Sequence, residues 1–422
     1  MKVAVQPLAR NRRASRGITL TRSLVGALAL ATLAACSSGK ADTAVAGATG
    51  ATAGGGDYVS QSRALLDQAA TGAVTGPSFG TVAADKLVAW KAQDMPTPSA
   101  LPAGKKIKVA VVYAFPVGSP VYQTHLIEKI GPKLGWDVKV FQAATPTQQG
   151  ALAAMQQAIL YKPTAIVAPV VPATWIAPAL TKARAQGIHT VGIHQDTSGG
   201  GGFDAYVPAA EGVQKALLAA WAVAQSNGKA KTLVVSAPGF SDANVPAAEQ
   251  YLKGCSGCST KSVQFNPDVF IDPTKTQSSV AAALAADPDV DYVLWPNGSA
   301  PLPGALNGIS ASRDRDAKLI VNTAGPGSIQ LLKDGKVPVV VHHPEAMLAL
   351  AAIDQVSRLA QGEKPLAQDA LRLPITYWTK QDSSAPDYAS ITAAELKAND
   401  WLSPYEKAWN VSLKDAVLGV RN

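Results

Sequence analysis

The sequence predicts an α/β protein with two successive parallel sheets built from βα units. Three observations carry that expectation. Short apolar, β-branched runs alternate with segments of helical period, which is the pattern of βα units. The alternation occurs in two series, parted by the glycines Gly199 to Gly202. The chain has 422 residues, 47% of them hydrophobic and 16% charged, so it can fill more than one core.

In the first series, a strand is expected at Ile107 to Tyr113 and a helix near Val121 to Leu134. A strand around Val138 to Gln142 and a helix from Thr147 to Leu160 follow, the helix carrying Leu152, Met155 and Ile159 on one face. Next come a strand at Ala165 to Ala168, a helix from about Thr174 to Gln186 stopped by Gly187, and a strand at Ile188 to Ile193. The second series opens with a short strand at Ala205 to Val207 and a helix striped by Val213, Leu217, Trp221 and Ala224, ended by Ser226-Asn227-Gly228. Strands then read at Thr232 to Ser236, Val263 to Phe265, Tyr292 to Trp295, Leu319 to Asn322 and Val337 to Val341. Helices near residues 242–253, 276–286 and 302–311 separate them. A last long helix, Glu345 to Ala360, has an acid in its first turn and Arg358 in its last, matching the helix dipole.

Ahead of this body, Lys2, Arg10, Arg12, Arg13, Arg16 and Arg22 precede an apolar run from Leu24 to Leu33 that is too short to span a bilayer. Leu33-Ala34-Ala35-Cys36 closes it and resembles the cleavage box of a bacterial lipoprotein signal, with Cys36 the residue to be acylated. The alternative is an ordinary secretory leader with a chance cysteine. Residues 1–35 are thus read as a signal peptide, and residues 36–104 as a flexible tether and N-terminal extension. Within the latter, Ala, Gly, Ser and Thr dominate up to about Gly56, and Ser60 to Ala70 is compatible with a short amphipathic helix. The formal charge is +8, but six basic groups and no acid lie in the leader, leaving about +2 for the rest. No basic cluster with interleaved aromatics remains, and nucleic acid is excluded as a partner.

Cys255-Ser256-Gly257-Cys258 follows a helix rather than opening one, so it lacks the thiolate-stabilising helix dipole of a redox pair; outside the cytoplasm it reads as a local disulfide. Zinc at this pair would need a second pair, which the sequence does not have. No G-x-S-x-G elbow is present, and Gly325-Pro326-Gly327-Ser328 lacks the lysine of a phosphate loop. No catalytic residues and no cofactor are expected.

Residues 105 to about 378 resemble a type I periplasmic binding protein of the ribose and sugar-binding group. The resemblance rests on Val109-Ala110-Val111-Val112, on Gln156-Gln157-Ala158-Ile159 followed by Lys162 to Val167, on Ala185-Gln186-Gly187-Ile188, and on Asp289-Val290-Asp291-Tyr292-Val293 before Asn297. It implies two Rossmann-like lobes joined by a three-strand hinge and closing on a ligand like a clamp. Lobe one would be residues 105–206 plus 343–372. Lobe two would be 207–342 plus 373–422, with residues 379–422 packing on it as a C-terminal extension or meeting a partner.

In such sheets ligands bind beyond the carboxyl ends of strands. That rule selects Phe115, Ser119 and Tyr122 after the first strand, Thr174 and Trp175 after the third, and His194, Gln195 and Asp196 after the fourth. In lobe two it selects Phe240, Asp242, Asn244, Trp295, Asn297, Asn322 and Thr323, and at the last crossover His342 and His343. Trp175 and Trp295 are read as stacking faces or as packing between lobes, and His342-His343-Pro344 as ligand contact or as a plain hinge. The resemblance would bring His194, His342 and His343 to one cleft, but no metal-ligand spacing supports an ion there and no metal is expected.

Sugar binders of the group usually place an Asp-Arg pair after the fourth strand, where this chain has His194-Gln195, and no arginine lies between Arg184 and Arg313. The bidentate fork for vicinal hydroxyls or a carboxylate is therefore missing from the lobe-two loops before Arg313. A neutral, polar or partly aromatic small molecule is the expected ligand. The function expected is capture of that molecule on the extracytoplasmic face of the cell membrane and delivery to ABC permease subunits, with the lipid bilayer reached through acylated Cys36. A ligand-sensing receptor and an envelope hydrolase are the alternatives.

Overall fold

The computed structural model describes residues 55–77, 82–194, 201–238, 241, 244–298, 301–312, 316–380 and 385–420. The leader, Cys36, the Gly/Ala-rich tether, Gln195, Asp196 and Phe240 lie outside these residues.

The described chain opens with α1 (Gly55–Thr71) and a small antiparallel pair, β1 (Val74–Thr75) and β2 (Val88–Ala89). The first lobe follows: β3 (Lys108–Tyr113), α2 (Ser119–Ile130), β4 (Asp137–Gln142), α3 (Gln148–Leu160), β5 (Ala165–Pro169), α4 (Ala173–Ala185), β6 (His189–Ile193) and β7 (Ala205–Val207). Its sheet is parallel throughout, in the order β4-β3-β5-β6-β7. β3, β5 and β6 are buried on both faces, which is why they read as continuous apolar runs rather than as alternating ones.

The second lobe contains α5 (Glu211–Gln225), β8 (Lys231–Ser236), α6 (Asn244–Leu252), β9 (Ser259–Gln264), α7 (Pro273–Ala286), β10 (Tyr292–Trp295), α8 (Leu302–Ala311), β11 (Lys318–Asn322), α9 (Pro326–Lys333) and β12 (Val339–His342). The chain then returns through α10 (Glu345–Gln361) to β13 (Thr376–Thr379) and three short helices, α11 (Ile391–Ala398), α12 (Ser403–Trp409) and α13 (Lys414–Leu418). The second sheet runs β13-β12-β11-β10-β8-β9, with only β13 antiparallel. β9 is longer than the apolar run Val263 to Phe265 suggests, because it is an edge strand whose Thr, Lys and Ser side chains face solvent.

The chain passes between lobes three times. Residues 208–210 join β7 to α5, which packs on β11 and β12. His343 and Pro344 join β12 to α10, which packs on β6, β7 and α2, and residues 362–375 lead from α10 to β13. α5 and α10 are buried on nearly every face. A helix that is apolar all round needs cover on all sides, and the two terminal arms supply it.

α1 lies along α5 and reaches α6, where the Tyr58 hydroxyl donates to the Tyr251 carbonyl at 2.6 Å and Arg63 donates to Asn227 at 2.6 Å. Further on, the Ser99 amide donates to Asp354 at 2.5 Å and Arg358 donates to the Thr97 carbonyl at 2.7 Å, fastening this segment to α10. The C-terminal arm was expected on lobe two. Instead Trp401, Tyr405 and Trp409 join the core cluster that holds α10, α13 packs on α2, and the Trp409 indole donates to the Ser99 carbonyl at 3.0 Å. The reason is the apolar outer face of α10, which the first lobe's own helices leave open.

Cys255 and Cys258 form a disulfide in the turn between α6 and β9. Among the described residues, no helix is long and apolar enough to cross a membrane.

Candidate functional site

A cavity open to solvent lies between the lobes. Phe115, Val117, Ser119, Pro120, Val170 and His194 line it from the first lobe. Glu211, Ala237, Ser241, Pro267, Phe270, Ile271, Pro296, Asn297 and Thr323 line it from the second. Most of these residues follow the carboxyl ends of parallel strands: Phe115 after β3, Val170 after β5, His194 after β6, Ala237 after β8, Pro296 after β10 and Thr323 after β11. Loops there are free to carry ligand contacts while the strands fix their positions.

The backbone around the cavity is strained. Val170, His194, Ala210 and Thr323 have φ of 53°, 70°, 53° and 57°, a left-handed conformation that non-glycine residues adopt rarely and a β-branched residue more rarely still. Such strain persists only where the surroundings enforce it, and it concentrates at functional sites.

The floor is a buried polar network. Glu211 opens α5; its Oε2 accepts from Asn322 Nδ2 at 2.6 Å, and its Oε1 stands 3.4 Å from His194 Nε2. Glu345 opens α10 and accepts from the Ser119 hydroxyl at 2.5 Å and from Gln123 Nε2 at 2.6 Å. His194 Nδ1 stands 3.7 Å and His343 Nε2 3.3 Å from the Glu345 carboxylate. Thr323 donates to Gln214, whose amide donates to the Ala209 carbonyl in the crossover. Burial opposes ionisation of Glu211, but the His194 imidazole and the Lys215 ammonium one turn along α5 outweigh it and hold the carboxyl below its usual range. Glu345 behaves alike: burial raises it, and the His343 and His194 rings with the Ser119 hydroxyl bring it far down. Burial pushes His343 below the ordinary imidazole value, so it is neutral at neutral pH.

Of the residues selected from the sequence, Phe115, Ser119, His194, Asn297 and Thr323 line the cavity; Asp242 lies outside the described residues. Trp175 stands behind Phe115, ring centroids 6.0 Å apart. Trp295 is not on the wall: it is fully buried in the second lobe's core, its ring 5.3 Å from that of the lining residue Phe270. Tyr122 turns to the C-terminal arm, its hydroxyl 3.2 Å from that of Thr392. Asn322 is buried and grips Glu211, whereas His342 points to Glu395 of α11, with Nε2 3.0 Å from Oε1. His343 lies beneath the floor against His194 and Glu345. Gln195, Asp196 and Phe240 lie outside the described residues, and of Asn244 only the backbone, which opens α6, is described.

Sequence reasoning missed Glu211, Glu345, Gln123, Phe270 and Ile271 as site residues. Glu345 reads as an ordinary first-turn acid, and Glu211 carries no mark of its own. The available signal was that each opens a helix apolar on every face, which forces the acid to be buried as well.

Residues 121–364 match the model of a family described as the periplasmic binding protein domain. No curated protein matches the chain. Among solved structures, it is similar to an ABC sugar transporter subunit from Rhodobacter sphaeroides 2.4.1, with TM-score 0.54, 18% identity, and coverage of 65% of this chain and 99% of that one. It is also similar to a solute-binding protein from Agrobacterium vitis bound with alpha-D-tagatopyranose, with TM-score 0.57, 17% identity, and coverage of 70% and 99%. A third is a solute-binding protein from Bacillus halodurans C-125 with bound myo-inositol, with TM-score 0.54, 16% identity, and coverage of 70% and 100%. These likenesses agree in fold with the two parallel sheets and three crossovers, and with more than half of the sequence matched by one family model, the chain belongs to the periplasmic binding protein domain family.

Proposed function

We propose that this protein is an extracytoplasmic solute-binding protein, held to the membrane by a lipid on Cys36, that captures a small neutral molecule and delivers it to an ABC importer without chemical change. The observation that carries this reading is the cavity built from strand-end loops of both lobes, with the polar floor at the crossovers. A ligand bridging the lobes favours the closed arrangement by its higher affinity for it, and the crossovers are the segments that would flex. Family membership and the sugar- and polyol-bound structures of similar fold support the ligand class.

The walls refine that class. Phe115, Val170, Phe270 and Ile271 are apolar; Ser119, Ser241, Asn297 and Thr323 offer short hydrogen-bonding groups, and among the described residues no arginine or lysine is on the lining. A ligand with one apolar face and several hydroxyl or carbonyl groups suits this surface. Trp175 acts by backing Phe115. We assign residues 105–206 plus 343–372 to one lobe and 207–342 plus 373–380 to the other, with the C-terminal arm bound across α10 of the first.

The test is a thermal-shift screen of the full chain in detergent against hexoses, pentoses, inositols, alditols and small aromatic alcohols. Ligand at ~100 times its dissociation constant adds about 2.7 kcal/mol, a rise of several degrees. A hit within the polyol or aromatic-alcohol set is expected; no hit in any set, with none co-purifying, contradicts the reading.

A further inference from the structure

We propose that His194, His343 and Glu345 form a binding site for one divalent transition-metal cation, zinc by ligand type, at the base of the interlobe cavity. The inference goes beyond solute capture and does not depend on which solute is bound. One donor atom from each of the three residues lies within 4.8 Å of the others. Metal–ligand bonds of about 2.0–2.2 Å put neighbouring ligand atoms of a tetrahedral site about 3.3 Å apart. His343 Nε2 is 3.3 Å from Glu345 Oε1, and His194 Nδ1 is 3.7 Å from Glu345 Oε2. Two imidazoles and a carboxylate thus stand at nearly the required spacing before any ion is present.

Three further observations point the same way. Both ring nitrogens of His343 are buried without a hydrogen bond, even though a carboxylate oxygen is 3.3 Å from one of them. A buried polar group left so is costly, and a cation held between imidazole and carboxylate gives the ring nitrogen its missing partner. His194 turns its other nitrogen to Glu211 Oε1 at 3.4 Å, and Asn322 holds Glu211 in turn. A carboxylate on the far side of a ligating histidine is the usual means of fixing its tautomer and ring orientation. Finally, His194 is held at φ 70° with its amide donating to the Val207 carbonyl at 2.9 Å. That strained backbone brings the imidazole under the cavity rather than out to solvent. His194 also lines the cavity, which gives the ion its path in.

Sequence pattern places His194 and His343 near one cleft but does not mark Glu345 as their partner, and it groups with them His342, which faces Glu395 instead. An ion here would tie the β6 loop of the first lobe to the second crossover, at His343-Pro344.

The experiment is calorimetric titration of the chelator-stripped full chain with zinc chloride alone, followed by cobalt chloride read by visible absorption. One equivalent of zinc is expected to bind, with cobalt giving the ligand-field bands of a four- or five-coordinate nitrogen and oxygen site. Glu211→Gln keeps all three ligands and is expected to weaken binding on the order of 10–100-fold, whereas the double variant His194→Ala/His343→Ala abolishes it. His125→Ala/His189→Ala, which alters the remaining histidines apart from His342, leaves binding unchanged. Failure of the native chain to take up zinc, or equal uptake by the His194→Ala/His343→Ala variant, overturns the proposal. The cobalt spectrum of the native chain needs no variant and decides the matter if the double variant does not fold.

Discussion

At the residue scale, the distinction between wall and backing governs what each substitution does. Phe270→Ala removes a lining ring and should weaken ligand binding while the lobe still folds. Trp295→Ala instead opens the core beneath it, at a cost of about 3–5 kcal/mol, read as a lowered denaturation midpoint; Trp295→Phe restores most of the stability without changing ligand affinity. Gly298 is equally constrained: its amide donates to the Thr323 carbonyl at 2.9 Å, and a Cβ there would collide with that oxygen. Gly298→Ala should therefore displace the Thr323 loop, cost about 1–3 kcal/mol, and weaken binding of any solute that rests on Asn297 or Thr323. Phe115, Ser119, His194 and Asn297 were legible in the sequence because each follows a recognisable strand. Glu211 and Glu345 were not, since only the tertiary cover of α5 and α10 buries them.

At the scale of elements, most of the parallel strands and their helices follow from local pattern alone, because β-branched runs buried on both faces leave little ambiguity. What local pattern did not reveal is the work of the two arms. Residues 57–104 have mixed composition and few long apolar runs, yet Tyr58, Leu65, Leu66 and Trp90 are all buried against the body. Their partners are far away in sequence, so no local period marks them. The antiparallel β13 was missed for the same reason: its four half-buried residues pair with β12 only through tertiary structure. Tyr58→Phe deletes one buried hydrogen bond from α1 to Tyr251 and should cost about 1 kcal/mol in chemical denaturation. Trp409→Ala should cost about 3–5 kcal/mol, because it empties a core position of the C-terminal arm and also removes the indole donor to Ser99. A result near zero would mean that the arm does not hold α10.

At the scale of the whole molecule, the first two crossovers carry much of the cavity floor, and the first also carries the strained residue Ala210. Ala210 and Glu211 sit on the first, and His343 and Glu345 flank the second. The α1 arm fastens to α5 and α6 and the segment around Ser99 fastens to α10, so one continuous N-terminal extension touches both lobes. Movement of the lobes must therefore be small or must bend this extension at the β1–β2 pair, which is itself tied to Ile375 by a bridge from Val74. Two lobes were legible from the repeated βα series. The straps were not, because they consist of contacts between segments hundreds of residues apart.

The central claim is that the interlobe cavity captures a small solute. It is tested most directly by calorimetric titration of the most stabilising compound into the native chain and into Phe115→Ala and Asn297→Ala, which alter opposite walls. One binding site in the native chain, weakened by both substitutions with the fold intact, is the expected result. Unaltered affinity in both variants, or no binding by the native chain, would contradict the account.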